Sequence, residues 1–164
     1  MADFVFNIAK GRLAELCLNI LGTGGAAQVA NGVLVVALLA SSGVESDATL
    51  KDKDDLAALV SGTTNEATNT GYSRLIVDET GDGLSVTIDD TNDRVDVDMN
   101  DPSWAAVTND GTGAIGDLVV CYDPDSTGGA DSAIVPLVQL DFSVTPNGGS
   151  ITATLASGGF YRAS

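Results

Sequence analysis

The chain has 164 residues, with 23 acidic side chains against seven basic ones, a net charge of −16. Such a surface repels a nucleic-acid backbone, which is bound by Lys and Arg releasing its counterions, and it repels an anionic bilayer for the same reason. The sequence contains no histidine, so it lacks the commonest general base, the Ser-His and Cys-His nucleophile systems and the usual zinc ligand.

The chain is nonetheless no disordered acidic tail. Mean hydropathy is +0.19, and Val, Leu, Ile and Ala recur with clear periods, which predicts a packed core. The length favours a single domain spanning 1–164, able to bury roughly 68–70% of the surface of its unfolded form without a disulfide or metal staple. Three segments are expected within it: a helical segment over 1–25, a strand plus a short helix over 26–71, and an antiparallel β region over 72–164. Cys17 and Cys121 each stand alone in an apolar run, which predicts two reduced, buried thiols and synthesis in a reducing compartment.

In chain order, "MADFVFNIAKGR" has neither the basic region nor the apolar core of a signal peptide. Asn7 is a candidate N-cap for a first helix, along which Ile8, Leu13, Leu16, Cys17, Ile20 and Leu21 recur at helical spacing until "GTGG" stops it. Val33–Ala40, "VLVVALLA", reads as a buried strand; eight residues are far too few to cross a membrane, which takes about 20. A short helix is expected near Asp52–Val60, with Leu56, Leu59 and Val60 as its apolar edge and Gly62 as its stop. Beyond it the strand candidates are Tyr72–Val77, Leu84–Ile88, Arg94–Met99, Ala114–Tyr122, Ala133–Phe142 with a possible bend over Phe142–Val144, and Ile151–Leu155. Pro136 marks its strand as an edge or a bulge. The fold class that follows is mainly β: an antiparallel β-sandwich or barrel-like domain with an N-terminal helix and one further short helix.

The stretch from Ser85 to Trp104 holds six aspartates: Asp89, Asp90, Asp93, Asp96, Asp98 and Asp101. Strand side chains alternate between faces. Leu84, Val86 and Ile88 therefore share a face with Val95, Val97 and Met99, while Thr87, Asp96 and Asp98 take the other. The remaining acids fall in the turn or just past the strand end, where Asp bonds its own backbone. A hairpin with one wet face follows.

A calcium loop is the alternative to this hairpin. Asp78, Asp82 and Asp89 occupy places in a partial calcium-loop pattern, but Thr80 stands at its third position, Asp replaces the final Glu, and the flanks are strand-like. The expectation is no metal and no other cofactor. Trp104 is expected to fill the core. Carboxylate-only glycoside hydrolysis would need one acid in an apolar pocket, and the pattern points to none; the chain is read as not an enzyme.

Four stretches carry a resemblance: "MADFVFNIAKGR", "VTIDDTNDRVDVDMNDPSW", "LVVCYDPD" with "DSAIVPLVQLDFSVTPNGGSITATL", and "GGFYRAS". Together they cover most of the chain. They resemble a family of small virion structural proteins of tailed bacteriophages, described as head decoration or cement proteins or as minor tail proteins. No motif in the resemblance is catalytic. It implies synthesis in a host bacterial cytoplasm, location in the virion, and the major capsid protein or other virion proteins as partners, without nucleic acid or membrane. A homo-oligomer is expected, with a trimer as one form. The expected contact elements are Ala2–Leu21 and Gly158–Ser164, through Phe4, Phe6, Lys10, Arg12, Phe160, Tyr161 and Arg162. A minor tail or tail-tip component is the alternative within the virion, and a calcium- or carbohydrate-binding adhesion module is the alternative of another class.

Overall fold

The computed structural model describes residues 2–164. In chain order its elements are β1 (Phe4–Val5), α1 (Leu13–Leu21), β2 (Val33–Ala40), α2 (Asp47–Leu50), α3 (Leu56–Leu59), β3 (Leu75–Val77), β4 (Ser85–Asp89), β5 (Arg94–Asp98), β6 (Ser103–Trp104), β7 (Ile115–Asp123), β8 (Val135–Val144), β9 (Ile151–Thr152) and β10 (Tyr161–Ala163). The architecture is mainly β, in antiparallel sheets, and resembles a β-sandwich.

Two continuous apolar runs make the interior of the larger sheet, as strands buried on both faces require. Every residue of β2 is buried. It pairs with β7 so that Leu34, Val36 and Leu38 stand opposite Tyr122, Val120 and Leu118 on one face, and Val35 and Ala37 opposite Cys121 and Val119 on the other. The full order is β1-β8-β7-β2-β3. A register shift between Val120 and Cys121 lies beside Pro136, so the proline sits at a bulge, as its missing N–H demands. The bend expected at Phe142–Val144 takes the form of a bulge: β8 continues to Val144, but Asp141 pairs with Asp117 and Val144 with Ile115, so β8 holds one extra residue there.

A smaller sheet, β10-β5-β4, carries the aspartate hairpin, and β6 with β9 forms a two-stranded ribbon. Helix α1 packs against β4 and β5. One core joins all three sequence segments, from Phe6, Leu13 and Ile20 through Leu38 and Leu59 to Val97, Leu118 and Phe160. Trp104 is 3% exposed, and its indole N–H donates to the Ser73 carbonyl at 2.8 Å, so the expected core plug also ties down a loop. Both cysteines are free and buried. Burial pushes the Cys17 thiol up to about 12 and raises that of Cys121 as well, which keeps both neutral and inert.

The helical expectations need correcting. Asn7 does not cap an α-helix; it opens a 3-10 turn over Asn7–Ala9. Gly11, in the left-handed region at φ +79°, interrupts the run, and α1 begins only at Leu13. Asn7 instead donates to the Asp52 carboxylate and accepts from Lys10. The helix does end at "GTGG" as expected, where Gly22 closes α1 in the left-handed conformation. The helix expected near Asp52–Val60 is present as the shorter α3, with Leu56 and Leu59 buried, and an unexpected helix, α2, precedes that range. Ser46 caps α2 by accepting from the Thr49 N–H, and Asp55 caps α3 by accepting from the Ala58 N–H at 2.7 Å.

Candidate interaction surface

The hairpin register fixes two faces on the small sheet. Val86 stands opposite Val97, which stands opposite Tyr161; the next row outward is Ile88, Val95 and Ala163. On the reverse face Thr87, Asp96 and Arg162 form a row, and Asp89 stands opposite Arg94. This is the alternation expected from the sequence.

The wet face is more organised than a row of solvated acids. Arg94 Nε lies 3.3 Å from Asp89 and 3.2 Å from Asp96, and Arg162 binds Asp96 from the other side. Asp89 also accepts from Asn92, at 2.7 Å to the side-chain amide. The Arg162 hydrogen bond holds the Asp96 carboxyl below its ordinary range, and the Asn92 hydrogen bond, backed by Arg94, does so for Asp89. The result is a cross-strand ladder that latches the C-terminal strand onto the hairpin.

Between the two sheets runs a groove of about 520 Å³. Val5, Val138 and Leu140 come from the large sheet, Leu155, Phe160 and Tyr161 from the C-terminal segment, and Asp3, Asp141 and Arg162 give it polar ends. Strand β1 forms one edge of the large sheet and β10 one edge of the small sheet, and both border the groove.

Against this geometry the expected contact residues divide. Phe4, Phe6 and Phe160 are 8%, 0% and 6% exposed and belong to the chain's own core, so these three rings do not face outward as expected. The reason is β1: pairing of Phe4 with Gln139 lays Phe4 against Phe6, with ring centroids 5.1 Å apart, and the Phe6 N–H continues the pairing to Leu137. Lys10 and Arg12 are exposed, Tyr161 is half-buried in the groove, and Arg162 is exposed while engaged with Asp96.

Asp78, Asp82 and Asp89 do not converge. Asp78 accepts from the Thr80 N–H and hydroxyl, Asp82 accepts from the Asp78 N–H, and Asp89 is engaged in its own turn and with Arg94. Among the described residues no group of three potential ligands could hold a metal ion.

Compared with protein-family models, with curated proteins and with solved structures, the chain matches none.

Two polar centres escaped the reading of the sequence. Arg74 makes paired bonds to both Glu66 and Asp131, at 2.7–2.9 Å, and pulls Asp131 below its ordinary pKa. Its partners lie 8 and 57 residues away, and no local pattern joins them. Asp117 is 2% exposed. Burial raises its pKa, the Gln139 hydrogen bond opposes that, and the negative charges of Asp141 and Asp47 add to it. A lone acid inside "IGDLVVCY" was a legible signal. By contrast, the Asp89–Arg94 pair becomes visible once the hairpin register is written out.

Proposed function

We propose that the chain is a structural protein of a tailed-bacteriophage virion, a decoration or cement protein that binds the outside of the assembled head. It works by non-covalent clamping. A ligand that binds only the closed lattice stabilises it by mass action, by about 2.7 kcal/mol per site at a concentration of 100 times Kd. The carrying observation is that an open groove and two free sheet edges lie on stretches that carry the resemblance. The groove is lined from the N-terminal stretch, β8 and the C-terminal segment, and the hairpin and the C-terminal strand supply the edges β4 and β10. Open edges and an apolar groove are the features through which extended protein segments add to a sheet. Its partners are the major capsid protein or other virion proteins, and a homo-oligomer, such as a trimer, is the form in which it sits.

Purified particles encoded with this chain test the reading. Quantitative mass spectrometry is expected to find it in fixed proportion to the major capsid protein, and cryo-electron microscopy to place it on the outer head. Heads lacking it should open at a lower temperature. Its absence from particles overturns the proposal, and a few copies confined to the tail replace it with the tail-component reading.

A further inference from the structure

The small sheet's apolar face is only half covered. In its inner row Val97 is wholly buried, and α1 packs on β4 and β5. The outer row of Ile88, Val95 and Ala163 extends past that cover. Ile88 is 64% exposed, the most exposed large apolar side chain among the described residues. Beside it lies a shallow depression of about 460 Å³ lined by Ile88, Val95, Ala163, Asp90, Asp93 and Arg94.

Strand β4 also has an open side, since the sheet order is β10-β5-β4. Edge strands are usually guarded by Lys, Pro or a bulge. "SVTID" has neither Lys nor Pro, its one charged residue, Asp89, sits at the turn end and is neutralised by Arg94, and its pairing with β5 runs without a register shift. An open edge beside an apolar row whose outermost residue, Ile88, is exposed is the arrangement an added strand needs, with backbone bonds on the edge and a side chain lying over Ile88.

The rim states what kind of strand. Asp89 is engaged with Asn92 and Arg94, whereas Asp90 and Asp93 make no ion pair among the described residues. A second copy of this chain meets the surface poorly: a two-fold contact sets the same acids against each other, on molecules each carrying −16. We infer that the Ile88–Val95–Ala163 row and the β4 edge form a docking surface for a basic, apolar-alternating extended segment of a different protein. Assigning that segment to a capsid protein rests on the virion reading above; the chemistry of the surface does not.

Two arms separate the claims. In the first, the ¹⁵N-labelled full chain is titrated with a synthetic peptide alternating Val and Lys, and with its Val and Glu counterpart. The Lys peptide is expected to shift amides of β4, the Asp89–Arg94 turn and β10, saturably and less strongly as salt rises; Ile88→Asp should weaken it about tenfold or more. Because Ile88 is exposed, the variant's urea midpoint should match the parent's, so a loss of binding is not a loss of fold. Absence of shifts, shifts confined elsewhere, or equal binding of the Glu peptide overturns the surface. In the second arm, particles lacking the chain are incubated with parent or Ile88→Asp protein. Binding of the parent alone supports both claims. Equal binding of the two overturns the surface and leaves the virion reading standing. Failure of both on particles, with the peptide still bound at β4, removes the virion source and keeps the surface.

Discussion

Tyr72 serves a strand to which it does not belong. Strand β3 pairs with β2 only as far as Leu75 opposite Val36, so two residues on the Leu38 N–H has lost its strand partner; it donates to the Tyr72 hydroxyl at 3.1 Å instead. That hydroxyl in turn donates a hydrogen bond to Glu66 at 2.7 Å, which Arg74 holds in place. Burial, and then the neighbouring Glu66 charge, raise the tyrosine pKa, so the phenol stays a donor. Tyr72→Phe should therefore strand a buried backbone N–H and cost about 1–3 kcal/mol in urea unfolding; a loss inside experimental error means that water or Glu66 takes over the site. Asp117 works in the opposite sense. Its folded pKa lies above the ordinary 3.8, so the folded state holds the proton more firmly than the unfolded one. The stabilisation tied to that proton is complete below 3.8 and is lost as pH rises through the folded value. Asp117→Asn keeps an oxygen to accept from Gln139 and removes the titration. The variant should be more stable than the parent at neutral pH, with the difference shrinking as the pH is lowered towards 3.8; a difference that is constant with pH contradicts the mechanism.

Strand β10 has only three residues, and its place depends on the turn before it. Gly159 sits at φ +80°, where a Cβ would come within 2.1 Å of the Val97 carbonyl oxygen. Gly159→Ala adds left-handed strain to a collision with the very strand that β10 pairs with. The expected cost is about 1–3 kcal/mol, and hydrogen exchange should show β5 and β10 opening together ahead of β2 and β7. Length decided which elements could be read in advance. The strands β2, β7 and β8 run long enough for an apolar run to declare itself, and the hairpin β4–β5 has a clean two-residue period. The elements β1, β6 and β10 have two or three residues each, too few to show any period. That omission is why Phe4 and Phe6 were expected at a partner surface: without β1 they are a free terminus, and with it they are core. The same limit hid the ladder on the wet face. Asp96 and Arg162 are 66 residues apart and become neighbours only because β10 folds back onto β5.

Charge belongs to the molecule as a whole. Among the described residues Lys53, Arg74, Arg94 and Arg162 pair with Glu45, Glu66, Asp131, Asp89 and Asp96, and over the whole chain 23 acids outnumber seven bases. The two effects respond oppositely to salt. Screening weakens each exposed pair, whose worth is about 0–1 kcal/mol, and it also relieves the mutual repulsion of a surface carrying −16. Repulsion is summed over many more partners, so it should dominate. Raising ionic strength from about 0.01 M to about 0.15 M shortens the screening length from about 30 Å to about 8 Å, less than the span of the molecule. The melting temperature of the isolated chain should rise, by about 2–4 °C for each kcal/mol relieved. Calorimetric scans at the two salt concentrations measure it directly. A melting temperature that stays level or falls would mean that the ladder and the Arg74 cluster outweigh the unpaired acids. The same repulsion opposes non-specific association of free copies in solution while drawing in any cationic surface. Addition of a polycation that binds the folded state should therefore raise the melting temperature at low salt and lose that effect at high salt.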